Sequence, residues 1–223
     1  MKDTRIIRVA GKGTVSLPPD TTRLNINVTG TYKAYADTLK HSAEDTEQLR
    51  EALTGLGFAP TDLKTLSFGV DTRYEHYQDK NGNYRQRFAG YIYNHSMKLE
   101  FPCDNELLGK LLYALGQLPC SPEFSIAYTV KDKEKAKNLL IANAVADSKA
   151  KAAVLAEASG VSLGEIQSID YSLNEPCFEV MPMNGRFKAM KAEACCEDAA
   201  YGVNIQAEDI VCEDTVTIVW AIA

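Results

Sequence analysis

Hydrophobic and polar residues alternate in two segments near the start of the chain, which is the pattern of β-strands with one buried face. The first segment covers residues 5–17 and the second covers residues 21–30. A Pro-Pro-Asp turn separates them, so we expect the two strands to pair as an antiparallel hairpin. Gly11 and Gly13 interrupt the alternation of the first strand and indicate a bulge.

The spacing of apolar residues changes to the helical period in three segments. The first predicted helix runs from Ala34 to Leu56, and its apolar positions are Ala36, Leu39, Ala43, Leu49, Leu53 and Leu56. A short second helix is predicted between Asp104, a suitable N-cap, and Gly116. The third and longest, Lys133 to Ser159, has an alanine-rich stripe made of Ala136, Leu140, Ala144, Val154 and Ala158.

A long β-hairpin is predicted around Asn81-Gly82, a strong short-range turn signal. Each arm could run about 15 residues, against a usual strand of about 5–6, so the outer part should project beyond the sheet. A turn centred on these two residues places His76 opposite Arg87 and away from His95. The projecting part is a candidate oligomer contact, and its aromatic residues are Tyr74, Tyr77, Tyr84 and Phe88. A mobile hairpin tip is the alternative interpretation.

The complete pattern predicts an α+β fold with a mainly antiparallel sheet and packed helices. The predicted order of elements is ββαβ-βαβ-αββ, and the last strand, 209–223, places its apolar residues on one face. We expect a single domain over residues 1–223. An irregular stretch, about 174–208, precedes the last strand and is interpreted as an insertion.

Charge and hydropathy narrow the possible partners. The 24 basic and 30 acidic residues give a net charge of −6 and are interspersed, so we expect no nucleic-acid partner. No segment approaches 18 uninterrupted apolar residues, so we expect no membrane span. The first residues lack the apolar run of a signal peptide, which predicts a cytoplasmic location. The alternative is an exported protein whose leader is absent from this numbering.

The adjacent thiols Cys195 and Cys196 are the segment most suggestive of chemistry. Zinc sites favour cysteines two to four residues apart, and the six cysteines of the chain include no C-x-x-C pair. A redox-active thiol needs a lowered pKa, whereas Glu193 and Glu197 would raise it. We therefore interpret the pair as loop thiols, with redox sensing as an alternative.

Other catalytic and ligand-binding patterns are absent from the sequence. The Gly-Lys-Gly of residues 11–13 fits neither a phosphate loop nor a dinucleotide fingerprint, and no G-x-S-x-G nucleophile elbow occurs. His95 lies on an apolar strand face, where a hydrogen-bonded, semi-buried histidine is expected. We predict no catalytic, cofactor-binding or metal residues, no cofactor, and no enzymatic activity.

Three stretches resemble the SIMPL-domain family, a bacterial family of unknown function. They are "IRVAGKGTVSLPPDTTRLNINV", "NAVADSKAKAAVLAEASGVSLGEIQSI" and "DTVTIVWAI", and together they cover nearly the whole chain. The resemblance implies an α+β domain that forms homo-oligomers, in some members ring-like or channel-like assemblies. It implies no established activity, cofactor or catalytic residue, and only a loose association with stress defence and signalling. Bacterial members are often exported, and this chain differs from them in its six cysteines.

The leading functional hypothesis is a non-enzymatic, self-associating structural or interaction module. It rests on the family resemblance and on the aromatic hairpin. The alternative is a small-molecule-binding or thiol redox-sensing protein that uses the 174–208 segment, and a small-molecule pocket lined by the hairpin tyrosines belongs to the same alternative.

Overall fold

The computed structural model describes residues 5–171, 176–181, 187–188 and 205–223, and these residues form three helices and nine strands. The strands are β1 (Ile6–Leu17), β2 (Thr21–Tyr32), β3 (Lys64–Gln78), β4 (Tyr84–Pro102), β5 (Glu123–Thr129), β6 (Leu163–Asp170), β7 (Glu179–Val180), β8 (Phe187–Lys188) and β9 (Ile210–Ile222). The helices are α1 (Tyr35–Gly55), α2 (Asn105–Gly116) and α3 (Lys133–Ala158). The predicted α+β fold and order of elements are confirmed. The short strands β7 and β8 are additions within the stretch predicted to be irregular.

The chain divides into two compact units. The first consists of Met1–Asp20, Thr129–Val180 and Ala207–Ala223, and the second of Thr21–Tyr128 and Met181–Gln206. The first unit therefore combines segments from both ends of the chain with a central segment. The prediction of one domain over residues 1–223 stays a prediction.

In the first unit, α3 packs on an antiparallel sheet with the order β1-β9-β6. Strand β1 pairs with β9 along its full length, from Ile6 opposite Ala221 to Leu17 opposite Ile210. The predicted β1–β2 hairpin is therefore wrong. The Pro-Pro-Asp segment does not form a hairpin turn. Asp20 instead donates its backbone N–H to Thr129 O and accepts the Lys131 N–H on its carboxylate.

Gly11 and Gly13 permit close contact between β1 and α3. A Cβ atom on Gly11 would lie 2.1 Å from Ala144 O, and one on Gly13 would lie 2.1 Å from Leu140 O. Both glycines pair regularly with β9, so the predicted bulge is wrong. Glycine at these positions lets the helix backbone approach the strand, which any side chain would prevent.

The buried stripe of α3 follows a four-residue step. Its buried members are Ala136, Leu140, Ala144, Ser148, Ala152 and Ala156. Val154 and Ala158, which the sequence analysis assigned to this stripe, are exposed. A serine can occupy the buried position because Ser148 Oγ donates to Val9 O at 3.2 Å.

In the second unit, α1 packs against α2 and on an antiparallel sheet with the order β3-β4-β2-β5, and β8 pairs with β5. The fully buried side chains of this core include Leu24, Ile26, Leu49, Tyr93, Met97, Leu99, Leu108, Leu111 and Leu115. Asp104 caps α2 as predicted, accepting the N–H groups of Glu106 and Leu107. The opposite face of β2 and β4 carries polar residues.

The inner face of α1 differs from the prediction. Its buried residues are Thr38, Ser42, Thr46, Leu49 and Leu53, whereas Leu39 is exposed. Thr38 and Thr46 can be buried because each hydroxyl donates to the carbonyl four residues earlier, which satisfies its hydrogen-bonding group inside the helix. The first half of α1 therefore packs with hydroxyl groups, and the second half with leucines.

Candidate functional site

The candidate site is the outer part of the β3–β4 hairpin, residues 70–92, which we call the arm. Its tip is a loop of residues 79–83 that is organised by one carboxylate. Asp79 Oδ1 accepts the backbone N–H groups of Asn81 and Asn83 at 2.9 and 3.0 Å, and Oδ2 accepts Arg85 Nε at 2.8 Å. The hydrogen bond from the Asn83 backbone, followed by that from Arg85, holds the pKa of Asp79 below its usual value. The tip is thus a hydrogen-bonded structure.

The observed register of the hairpin differs from the predicted register by one residue, and the loop is the reason. Gln78 pairs with Tyr84 and His76 with Gln86, so His76 does not face Arg87. A two-residue turn at Asn81-Gly82 would pair His76 with Arg87. Because the Asn83 N–H donates to Asp79, Asn83 belongs to the loop, and the pairing shifts by one residue. The prediction that His76 and His95 are separated is confirmed by the same pairing, which places His95 opposite Phe68.

A bulge at the base of the arm decides which aromatic rings share a face. Arg73 pairs with Gly90 and Tyr74 with Phe88, which leaves Ala89 as the extra residue on β4. Gly90 has φ +145°, and a Cβ there would lie 2.3 Å from Tyr32 O, so only glycine fits this position. The bulge brings Phe88 onto the same face as Tyr91.

One face of the arm carries a row of aromatic rings. The Phe88 ring contacts those of Tyr74 and Tyr91 edge-to-face, at centroid distances of 6.0 and 5.3 Å. Tyr91 also contacts Tyr35, at the start of α1, at 5.5 Å. Tyr84 extends this face towards the tip and is 82% exposed. The face therefore runs from the first turn of α1 to the end of the arm.

Tyr77 lies on the opposite face, among charged residues. The register places it with Glu75, Arg85 and Arg87, and Arg87 donates to Glu75 Oε2 at 2.9 Å. The Arg87 guanidinium also lies 5.8 Å from the centroid of the Tyr77 ring. The four predicted contact residues are therefore all on the arm but not on one face: Tyr74, Tyr84 and Phe88 share a face, and Tyr77 does not.

A buried polar cluster lies where β4 passes beneath α1. His95 is 7% exposed, with Nδ1 3.1 Å from Thr46 Oγ1 and Nε2 2.9 Å from Thr65 Oγ1. The Thr46 hydroxyl proton is directed to Ser42 O, so we infer that Nδ1 of His95 carries the ring proton and donates to Thr46. Burial and the charge of Arg50 hold the pKa of His95 below its ordinary value. The predicted hydrogen-bonded, semi-buried histidine is confirmed.

The neighbouring Tyr93 hydroxyl donates to Asp45 Oδ2, and Tyr93 is fully buried. Burial, followed by the hydrogen bond to Asp45, raises the pKa of Tyr93 far above its ordinary value. The phenol is therefore a neutral hydrogen-bond donor at neutral pH. Both the histidine and the tyrosine connect α1 to the sheet.

The described cysteines, Cys103, Cys120, Cys177 and Cys212, are free thiols. Burial, and then the Asp45 charge, raises the pKa of Cys120 to about 11. Burial also raises the pKa of Cys212, whose Sγ lies 3.0 Å from Cys177 O. A raised pKa lowers the thiolate fraction and hence the reactivity. Cys195 and Cys196 lie outside the described residues.

A cavity of about 240 Å³ lies on the polar face of the second unit's sheet, beside Phe124 of β5. Its polar lining residues are Asn25, Asn27, Ser96, Glu123 and Ser125. Ser96 Oγ donates to Asn27 Oδ1 at 2.9 Å. The cavity is lined by none of the arm tyrosines, so it is a separate site from the arm.

Sequence reasoning missed Asp79 and Gly90. Asp79 could have been found from its position two residues before Asn81, since an aspartate at the start of a turn often accepts backbone N–H groups two residues on. The function of Gly90 depends on the approach of Tyr32, a residue far away in the sequence, and no local signal shows it. Within residues 5–171, 176–181, 187–188 and 205–223, no group of three metal-ligating side chains comes together.

None of the three helices among the described residues combines the length and the apolar character that a membrane span requires. Residues 7–220 match the model of the SIMPL family, described as a "Protein of unknown function (DUF541)". The chain belongs to the SIMPL family.

Two relatives carry the same name, "26 kDa periplasmic immunogenic protein". One is from Brucella melitensis biotype 1 and the other from Brucella abortus strain S19. Each is 27% identical to this chain over 190 residues, which cover 84% of this chain and 74% of the relative. The similarity therefore extends over most of both proteins.

Proposed function

We propose that this protein is a non-enzymatic module that self-associates through the arm. The observation that supports the proposal is the aromatic face formed by Tyr74, Tyr84 and Phe88, which are exposed in the single chain. Clustered exposed aromatic rings are unusual on a monomer and typical of protein interfaces. A second copy that binds next to this face would remove part of the surface of these rings from water.

We also propose that the protein works outside the cytoplasm. The two Brucella relatives are periplasmic by name, which favours the exported alternative over the cytoplasmic location that we expected from the sequence. The association with stress defence and signalling, and the absence of catalysis, of cofactors and of a nucleic-acid partner, stay predictions.

Self-association is tested by measuring the solution mass by light scattering after size exclusion, at two protein concentrations. We expect a multiple of 24.5 kDa for the wild type. The double variant Tyr74→Ser/Tyr84→Ser should shift the mass towards the monomer, because both rings lie on the aromatic face. Val154→Ser is the matched control, since Val154 is an exposed apolar residue on α3. A wild type that is monomeric at both concentrations would refute the proposal.

A second candidate function, small-molecule binding next to the 174–208 segment, is supported by the cavity beside Phe124. Strand β8, which belongs to that segment, pairs with β5 at Glu123 and Phe124, two residues that line the cavity. Amide and hydroxyl groups and the Glu123 carboxylate around an apolar patch suit a small, polar ligand that carries hydrogen-bond donors. A thermal-shift screen with monosaccharides and free neutral amino acids tests this function. A hit should stabilise the wild type but not Asn27→Leu, and the absence of any hit would remove the support.

A further inference from the structure

The arm has a second exposed feature besides its aromatic face, namely the outer edge of β3. This strand ends the order β3-β4-β2-β5, and no strand among the described residues pairs with its outer edge. Nearly every residue from Lys64 to Gln78 is exposed. Its backbone N–H and C=O groups along that edge are therefore available to another strand.

Natural proteins usually protect such an edge by shortening it, by placing a proline or charged residues such as lysine on it, or by bending it away with a β-bulge. Strand β3 is 15 residues long and contains no proline, and the bulge on this strand, at Leu66, lies near its start and outside its central part. Its three central charges, Asp71, Arg73 and Glu75, alternate in sign. Such an edge is unprotected against a strand whose charges are complementary to its own.

A second copy of β3 offers such a strand. A two-fold axis perpendicular to the sheet, relating two identical antiparallel strands, keeps each residue on its own face. The axis must therefore lie midway between one residue and its own copy, directly opposite. Axes at Asp71, Arg73 or Glu75 would place a charged residue directly opposite its own copy, which is unfavourable. Only axes at Thr72 and Tyr74 oppose unlike charges in this part of the strand.

The axis at Thr72 gives the more extensive pairing. It overlaps residues 66–78 of both chains, whereas the axis at Tyr74 overlaps only residues 70–78. It places Asp71 opposite Arg73 of the second copy twice, by symmetry. It also places Val70 opposite Tyr74 and Thr72 opposite Thr72. Unlike charges, β-branched–aromatic pairs and threonine pairs are all favourable neighbours across antiparallel strands.

We propose that two copies of this chain pair through the outer edges of their β3 strands, antiparallel and centred on Thr72, to form one continuous sheet. The inference rests on the proposed self-association and specifies its partner and geometry. The pairing would also bring the aromatic faces of the two arms onto the same side of the joined sheet. Arg73 Nη1 lies 3.2 Å from Thr31 Oγ1 in the single chain, so its guanidinium must turn outwards to reach the second copy.

Charge reversal tests the register. Asp71→Arg would oppose two pairs of arginines, and Arg73→Asp would oppose two pairs of aspartates, so each variant should raise the dissociation constant about tenfold or more at low ionic strength. The double variant Asp71→Arg/Arg73→Asp restores the unlike pairs in reversed order and should return the dissociation constant to within about threefold of the wild type. Sedimentation equilibrium at several protein concentrations measures these constants.

Lys64→Asp is the matched control for Arg73→Asp, because it makes the same change in charge on the same strand but lies outside the overlapping residues. Far-UV circular dichroism confirms that each variant is folded. If Asp71→Arg has no effect while the wild type associates, the pairing is overturned and self-association stands. If Arg73→Asp alone weakens association, the axis at Thr72 is overturned. A monomeric wild type overturns the proposed self-association, and the pairing with it.

Discussion

Substituting Gly11 by alanine should separate α3 from β1. The new Cβ would lie 2.1 Å from Ala144 O and 2.5 Å from Ser148 N, both backbone atoms of α3. Moving the carbonyl oxygen out to 3.4 Å, where ordinary contact begins, requires a shift of about 1.3 Å. Neither the helix backbone nor the strand backbone can turn away as a flexible side chain would.

The cost has two parts. Overpacking of a well-packed contact typically costs about 1–3 kcal/mol. A shift of this size also lengthens the bonds from Ser148 Oγ to Val9 O and from Lys12 N to Asp147 Oδ2, now 3.2 and 2.7 Å, which contribute about 0.5–1.5 kcal/mol each. We therefore expect Gly11→Ala to lower the free energy of unfolding of the first unit by about 3 kcal/mol.

The assay is urea unfolding followed by the fluorescence of Trp220, the single tryptophan, which is buried in the same unit. Ala10→Val is the matched control, because Ala10 is the adjacent residue on the exposed face of β1 and should tolerate the added methyl groups within about 0.5 kcal/mol. A loss of less than about 1 kcal/mol for Gly11→Ala, or one equal to that of Ala10→Val, would contradict the close contact that we describe.

Two further predictions concern the second unit. The depressed pKa of His95 means that the unfolded chain takes up a proton below about pH 6.5 that the folded protein does not, so the free energy of unfolding should fall as the pH decreases below that value. Urea unfolding at pH 7.5 and 5.5 should show a smaller fall for His95→Gln, and an equal fall would exclude His95 as the cause. Replacing the α2 cap by Asp104→Ala should cost about 1 kcal/mol, because the N–H groups of Glu106 and Leu107 lose their acceptor. Thermal unfolding followed by circular dichroism measures this loss, and an unchanged midpoint would argue against the cap.

The elements themselves could be predicted from the sequence because their signals are local. The hydrophobic period distinguishes strands from helices, Asp104 marks a helix start, and Asn81-Gly82 marks a hairpin. The long arm and its aromatic residues follow from the same pattern. Three stretches of sequence in a fixed order carry the family resemblance, and the family match over residues 7–220 confirms it.

The tertiary structure decided which elements meet. Strand β1 lies next to β2 in the sequence but pairs with β9, almost the whole chain away, because the pairing of two half-buried strands depends on which surfaces remain to be covered. The period alone also misplaced Leu39 and Val154, since hydroxyl groups that bond to nearby carbonyls can replace apolar side chains at buried positions. The faces of the arm depend on one extra residue at Ala89 and one carboxylate at Asp79, each of which changes a register by one position. A shift of one residue moves every later side chain to the other face of the strand. The register is set by tertiary contacts, which local sequence does not show.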